Sequence, residues 1–487
     1  MTRVKKLLAC LLLILAYVAP YRGSADVGAI APEFSGLTHE QIAKRIFEGE
    51  QEMIASLRES NPLLETYLQS LVPNTQAQSP IDDAYFLSKV DFSRSYKDRG
   101  RSGYQTFLFG GERSDRKVHV NNGERFELYP DGYLDMLFVD IEAFDADTYE
   151  LTYVQQDTWN DRGCLIFSVV PRNPRFQGQF KGQIWVEDSA FKIVRIKGTF
   201  TPPHPPKIFR RLVGGGNLPL YLNFDSVRQE VAPGTWFPFY TYFDENKTWR
   251  QIDKDAETDL HYRGHIFMWG YKGIDAKAAA NPAERSDVLA QLEEDRLLAS
   301  PGLVEQGLNT IVRQIHVTNQ IDLSGVECRV LLTTPIEIFH VGKTIILSRG
   351  LLNILPDDSV IPVLLGREIA EILLEGASTD KQAEAWKTGL ALVEGAGYTK
   401  GVAYAYLLFA QLAQHSTQVP NLTRARFGRS LVEIARAAPK QATAPLPANE
   451  GRAFLLRGKY WIDPATGSLE VRYEPSTNAT AKNSFVF

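Results

Sequence analysis

The chain contains 487 residues, too many for one ordinary hydrophobic core, so we expect two or more folded units. Hydrophobic residues make up 44% of the sequence and charged residues 23%, a balance typical of globular rather than disordered proteins. The formal net charge is −5, and no dense run of lysine and arginine follows the N-terminus. This pattern argues against nucleic acid as a partner.

The first 25 residues predict a secretory signal peptide. A basic start that includes Arg3 precedes an apolar stretch over 7–18, which is too short to span a bilayer comfortably. Small residues at 23–25 suit a signal peptidase, so we expect cleavage after Ala25. The alternative is an uncleaved N-terminal anchor. We therefore expect an exported protein, periplasmic or associated with the outer membrane if the source is bacterial.

Residues 26–83 are predicted to be an N-terminal helical segment. Thr38 and Gln41 have the spacing of a capping box, and apolar residues then recur at roughly helical spacing. Proline at 62 interrupts this pattern, because the residue before a proline avoids the helical conformation. The pattern predicts a second short helix over 63–71.

Residues 84–271 change to short strands separated by turns. Segments rich in β-branched and aromatic residues lie at 133–141, 149–155, 164–170, 180–186, 191–196 and 236–243. No run with helical periodicity is long enough to connect parallel strands, so the pattern predicts an antiparallel sheet.

The chain becomes mainly helical after a predicted linker at 272–287. Within the predicted domain 288–437, we expect a strand pair at 328–332 and 344–347, and helices at 358–375, 380–395, 401–414 and 424–437. Residues 438–487 are predicted to be an Ala/Pro linker and a closing hairpin. The fold class is therefore α+β: an N-terminal helix, a curved antiparallel sheet domain and a mainly helical domain.

The stretch 326–375 contains an ordered series of short motifs. In chain order these are Ile336-Glu337-Ile338-Phe339, Gly342, Ser348-Arg349-Gly350-Leu351-Leu352 and Pro356-Asp357-Asp358. Their order and spacing resemble the HtpX/BepA-type zinc metallopeptidases. The resemblance implies a metallopeptidase-like fold for the helical domain.

The zinc-binding H-E-x-x-H motif of that family falls on residues 367–371, where both histidines are replaced. In such a motif, two imidazoles on one helix bind zinc and the glutamate between them acts as base. Arg367 is always protonated and cannot ligate a metal. The resemblance places Glu368 at the base and Glu371 and Glu384 at the remaining ligand positions. We regard these four positions as vestigial, and expect no catalytic residue, no metal and no other cofactor.

Two interpretations of Arg367 remain open. Its guanidinium could replace the zinc charge by bridging Glu371, and also Glu384. Alternatively, the three residues belong to a solvated, charged helix face. His340 lies near the same cleft if the family topology holds, and we interpret it as a packed residue rather than a ligand.

The β-domain more loosely resembles the LolA-like outer-membrane lipoprotein-sorting proteins. The resemblance rests on the strand pair at 178–188 and 191–196, with Trp185 and Phe191 in characteristic places, and on Trp236-Phe237-Pro238 in a later strand. In that fold a curved sheet wraps an apolar groove. The resemblance implies a lipid, lipoprotein or peptide partner.

These observations favour a non-catalytic, exported envelope protein that pairs a lipid- or peptide-accommodating β-domain with a zinc-less metallopeptidase-like domain. Two alternatives remain. One is an active metallopeptidase with unorthodox ligands, and the other is a structural component of envelope assembly.

Overall fold

The computed structural model describes residues 36–71, 80–92, 105–108, 117–120, 124–127, 134–173, 179–200, 223–251, 256–271, 287–374, 381–438 and 459–471. The chain divides into two compact units, residues 1–42 and 43–487. The predicted signal peptide and most of the predicted linker at 272–287 lie outside the described residues.

Helix α1 spans His39–Leu57. The predicted capping box is confirmed at its start: the Thr38 amide donates to Gln41 Oε1 at 2.8 Å, and the Gln41 amide donates to Thr38 Oγ1 at 3.3 Å. These two bonds satisfy backbone donors that a helix N-terminus would otherwise leave unpaired.

A ten-stranded antiparallel sheet follows. Its strands are β1 (Leu63–Leu71), β2 (Pro80–Asp91), β3 (Gln105–Leu108), β6 (Tyr149–Trp159), β7 (Arg162–Pro171), β8 (Phe180–Glu187), β9 (Ile193–Phe200), β10 (Phe224–Ala232), β11 (Thr235–Gln251) and β12 (Ala256–Trp269). Their order is β3-β2-β1-β12-β11-β10-β9-β8-β7-β6. Two further strands, β4 (Lys117–Val120) and β5 (Glu124–Glu127), pair separately. The predicted antiparallel sheet is confirmed.

The predicted short helix over 63–71 was wrong, because this segment is strand β1. It pairs with β2 on one side and β12 on the other, so the sheet begins at Leu63 rather than at residue 84. All nine of its residues are buried. Long-range pairing and burial on both faces override the local helical pattern.

Register assigns the strand residues to two faces of the sheet. We call one the apolar face. It carries Leu64, Leu68, Phe86, Phe167, Phe180, Ile184, Ile196, Phe200, Phe224, Phe243 and Ile266, all of them buried. The segment 134–144 lies over it, with Phe144 against Tyr149 of β6. Helix α1 lies over the same face: its Phe47 ring meets Phe144 at 4.8 Å, and its Glu50 pairs with Arg228 of β10.

The opposite face of β2, β1, β12 and β11 packs against the C-terminal half of the chain. Tyr67, Phe267 and Trp269 belong to the same hydrophobic cluster as the buried residues of that half. Tyr240 and Trp461 meet with ring centroids 4.5 Å apart. The sheet and the C-terminal half therefore share one core.

The C-terminal half contains a four-stranded sheet of order β13-β15-β14-β16. Its elements are α2 (Asp287–Glu294), α3 (Leu303–Asn319), β13 (Glu327–Leu331), β14 (Glu337–Val341), β15 (Thr344–Ser348), α4 (Arg349–Ile354), α5 (Val360–Leu373), α6 (Lys381–Gly395), α7 (Lys400–His415), α8 (Pro420–Thr423), β16 (Arg429–Ser430) and α9 (Leu431–Arg436). Strands β13 and β15 are parallel, whereas β14 runs antiparallel to β15. A closing hairpin, β17 (Tyr460–Ile462) and β18 (Leu469–Val471), lies within the predicted one.

The helices predicted at 358–375, 380–395 and 401–414 correspond to α5, α6 and α7. The single helix predicted at 424–437 was wrong, since strand β16 precedes the short helix α9 there. Helix α3 was not predicted. The predicted domain boundaries remain predictions, because the sheet and the C-terminal half fall within one compact unit.

Candidate functional site

Helix α5 carries three of the four predicted vestigial positions, and residues 360–370 on it are all buried. It approaches α6 closely through a pair of glycines. A Cβ on Gly366 would lie 2.9 Å from the Gly389 carbonyl oxygen, and a Cβ on Gly389 would lie 2.7 Å from the Arg367 amide nitrogen. This close approach fixes the Arg367 backbone against α6, as expected for packed helices with small residues at the crossing.

His340 on β14 lies beside Glu368 and Glu371 on α5. One potential ligand atom from each of the three lies within 4.8 Å of the others. His340 Nδ1 and Glu368 Oε2 are 2.9 Å apart, a hydrogen bond. The His340 and Glu371 side chains are 16% and 13% exposed, and Glu368 is 1% exposed. We call these three residues the His-Glu cluster.

The Arg367 guanidinium lies against both carboxylates of the His-Glu cluster, with its side chain 1% exposed. Its Nη1 donates to Glu368 Oε1, and it forms an ion pair with Glu371 Oε2 at 2.7 Å that lacks hydrogen-bond geometry. Arg429 Nη1 donates to Glu371 Oε1 at 2.5 Å. Two arginines thus neutralise two buried or half-buried carboxylates.

Arg367 is nevertheless poorly satisfied. Its Nε and Nη2 atoms are buried and have no hydrogen-bond partner among the residues that the structure describes. A buried donor without a partner destabilises the folded state by about 1–3 kcal/mol, and more when it is charged. Arg367 therefore contributes its positive charge to the site, although the site does not provide hydrogen-bond acceptors for all five of its N–H donors.

The electrostatics of the site disfavour general-base catalysis by Glu368. Burial by itself raises the pKa of Glu368, but the hydrogen bond with His340 and the positive charge of Arg367 outweigh that effect and lower the pKa below its ordinary value. A carboxylate with a lowered pKa is a weaker proton acceptor than a base tuned to neutral pH. Both of its oxygens already have partners.

Glu384 is exposed on α6 and does not belong to the His-Glu cluster. The structure therefore brings Arg367, Glu368 and Glu371 together, but not Glu384. Arg367 bridges Glu368 in addition to Glu371, and its burial contradicts the interpretation of a solvated helix face. These residues do not fit the zinc that a metallopeptidase resemblance implies, since an arginine stands at the first ligand position.

The sequence led us to interpret His340 as a packed residue near the cleft, without assigning it a polar partner, whereas the structure places it in a hydrogen bond with Glu368. The residue lies on β14, which pairs antiparallel with β15 and contacts α5 directly. The one sequence feature that could have indicated this role is the position of the histidine, two residues before Gly342 in the strand that precedes the predicted turn.

Arg349, in the turn that carried the metallopeptidase resemblance, connects the two parts of the core. Its Nη2 donates to Glu65 Oε2 at 2.5 Å, with both side chains at most 2% exposed. Glu65 also accepts from the Thr334 amide at 2.5 Å and the Tyr85 hydroxyl at 2.9 Å. The guanidinium lies 4.0 Å from the centroid of the Phe267 ring. Here the arginine anchors the ten-stranded sheet.

Helix α1 is held over the apolar face by a second buried ion pair. Arg228 Nη1 and Nη2 donate to the two Glu50 carboxylate oxygens at 2.5 and 2.6 Å, and both side chains are at most 2% exposed. A solvent-exposed bond joins Lys192 to Glu52 at 2.8 Å. We call the Glu50–Arg228 pair the lid pair.

No protein family and no curated protein matches this chain. Among solved structures, it is similar to a LolA superfamily protein from Nitrosomonas europaea, with 12% identity, a TM-score of 0.24, and coverage of 48% of this chain and 94% of that one. An outer membrane lipoprotein-sorting protein domain from Vibrio parahaemolyticus shows 12% identity, a TM-score of 0.23, and coverage of 48% and 95%. A DUF1329 family protein from Desulfovibrio piger shows 10% identity, a TM-score of 0.21, and coverage of 50% and 95%. Scores this low assign no activity or ligand to this chain.

No helix in the described part of the chain has the length and apolar character needed to cross a membrane.

Proposed function

We propose that this protein is an exported, non-catalytic envelope protein that binds the acyl chain of a lipid or lipoprotein, or an apolar peptide, against the apolar face of its ten-stranded sheet. The observation that carries this proposal is the combination of an extensive aromatic and aliphatic sheet face with a covering helix held by the lid pair. A retained metallopeptidase-like core, without zinc, accompanies the binding sheet.

The lid pair supports a binding role better than a purely structural one. Taking two charges out of water offsets most of their attraction, so an apolar pair of similar volume would hold α1 at least as firmly. A bidentate pair instead fixes the position of the helix and gives it one defined closed state. When an acyl chain enters between α1 and the apolar face, α1 loses its apolar contacts with that face. The acyl chain then makes contacts of the same kind with the sheet.

The arrangement around Arg367 supports the non-catalytic part of the proposal. A buried guanidinium occupies the space between Glu368 and Glu371, and the remaining expected ligand, Glu384, faces solvent. An active peptidase with unorthodox ligands would have to displace this guanidinium. The alternative of a structural assembly component does not explain why the lid pair should define one closed position of α1.

The proposal is tested by extracting the purified mature protein with organic solvent and identifying co-purified lipids by mass spectrometry. The delipidated protein is then titrated with a fluorescent fatty acid and with a fluorescent apolar peptide. We expect saturable binding of one of these probes. Absence of both co-purified lipid and saturable binding would favour the structural-assembly alternative.

A pair of variants relates the binding to the apolar face. Glu50→Leu with Arg228→Met replaces the lid pair by apolar contacts, so the fold should persist while α1 is held by packing that an acyl chain must displace. We expect weaker probe binding in this variant. Lys44→Met, on an exposed ion pair of the same helix with side chains 74% and 56% exposed, should leave binding unchanged. Equal binding by all three proteins would place the probe elsewhere.

A further inference from the structure

The His-Glu cluster has the composition of a divalent-cation site, although one of its members, His340, comes from β14 rather than from the helix that carries the sequence motif. An imidazole from β14 and two carboxylates from α5 bring their ligand atoms within 4.8 Å of one another. Imidazole nitrogens and carboxylate oxygens are both established ligands of zinc and related divalent ions. Glu384, the ligand expected from the sequence, is not required for this set.

The outer contacts of the cluster already orient its carboxylates. Arg429 holds Glu371 Oε1, which leaves Oε2 directed toward Arg367. Contacts of this kind behind a ligand fix its orientation and tune its affinity for metal.

The cation that currently fills the site matches it poorly. Arg367 reaches both carboxylates through Nη1, whereas its Nε and Nη2 are buried with no hydrogen-bond partner in the described part of the chain. A planar guanidinium with five donors normally pairs through two parallel bonds. Here both carboxylates contact the same guanidinium nitrogen, Nη1. A single small cation at the position of Nη1 would make the same two contacts.

We infer that His340, Glu368 and Glu371 form a cryptic divalent-cation site in which the Arg367 side chain is the resident cation. The inference rests on the proposed non-catalytic function, since it requires the native chain to leave the site closed to metal. Removal of the guanidinium should open the site to a transition-metal ion, with the three side chains and water as ligands.

The test is a titration of the mature protein and of Arg367→Met with Co²⁺, followed by visible absorption, and with Zn²⁺, followed by calorimetry. Methionine removes the charge while keeping an apolar side chain of comparable length. We expect no specific binding by the native protein and one equivalent bound by Arg367→Met. Adding His340→Ala or Glu371→Gln to that variant should abolish binding, whereas adding Glu384→Gln should leave it unchanged.

Folding of Arg367→Met provides a second readout. Two carboxylates without a cation destabilise the variant, and an ion that binds only the folded state should raise its unfolding temperature or recover it during refolding. A folded variant that binds no metal, or an unfolded one that metal does not recover, would contradict the cryptic site. Metal binding by the native protein would instead contradict the proposed function, so the two failures are distinguishable.

Discussion

The ion pair between Glu65 and Arg349 offers the sharpest test of how the sheet and the C-terminal half are joined. Glu65 lies on the inner strand β1, and Arg349 begins α4, 284 residues later in the chain. Both side chains are almost completely buried. Glu65→Gln keeps the shape of the side chain and an acceptor for Thr334 and Tyr85, but removes the negative charge.

The expected loss follows from the burial of the partner that remains. A guanidinium left buried without a counter-charge destabilises a protein by about 3–5 kcal/mol. An exposed pair contributes only about 0–1 kcal/mol. Glu65→Gln should therefore lower the free energy of unfolding by about 3–5 kcal/mol, whereas Lys44→Met on the exposed pair should change it by less than about 1 kcal/mol.

The assay is urea unfolding followed by both tryptophan fluorescence and far-ultraviolet circular dichroism. Adding Arg349→Met to Glu65→Gln removes the uncompensated charge, so the double variant should be less destabilised than the sum of the two single variants, by about 0.5–3 kcal/mol. Additive effects, or a loss below about 1 kcal/mol for Glu65→Gln, would refute the view that this pair couples the two parts of the core.

Three further predictions concern two buried groups at the same junction and one exposed glycine in α3. Burial raises the pKa of Asp83 to about 6 even though Asn421 donates hydrogen bonds to it, so the folded state binds a proton that the unfolded chain releases. The contribution of Asp83 to the free energy of unfolding should be greatest below about pH 4 and should fall as the pH rises to about 6. Urea unfolding across that range should therefore show a shallower decline in the free energy of unfolding for Asp83→Asn than for the native protein. A Cβ on Gly350 would lie 1.7 Å from the Thr334 carbonyl oxygen, so Gly350→Ala should lower the unfolding midpoint strongly. Gly307→Ala, at an exposed site in α3 with open space around it, should raise the free energy of unfolding by about 0.5–1 kcal/mol by the same assay.

The elements that could be predicted from the sequence were those set by local chemistry. The Thr38–Gln41 capping box and the helices α5 to α7 follow from spacing within one turn or one helix. The antiparallel sheet follows from alternating apolar residues without room for crossover helices. Each of these signals involves neighbours close in the chain.

The features that were missed depend on distant partners. Strand β1 has a sequence compatible with a short helix, but it pairs with β2 on one side and with β12, about 200 residues away, on the other. His340 acquires its partner through the packing of β14 on α5. The burial of Arg367 likewise depends on the close approach of α5 to α6. Two glycines permit this approach, but glycines in a helix do not by themselves predict which helices will cross.

The central claim, that the centre around Arg367 is non-catalytic and metal-free in the native chain, is tested most directly by the zinc content of the purified mature protein. The protein is incubated with excess Zn²⁺, dialysed and measured by inductively coupled plasma mass spectrometry, with casein cleavage assayed on the same sample. We expect zinc at the level of the buffer and no cleavage, because the Arg367 guanidinium occupies the space between Glu368 and Glu371. One equivalent of retained zinc that is lost in Glu371→Gln, accompanied by cleavage that is lost in Glu368→Gln, would contradict the account.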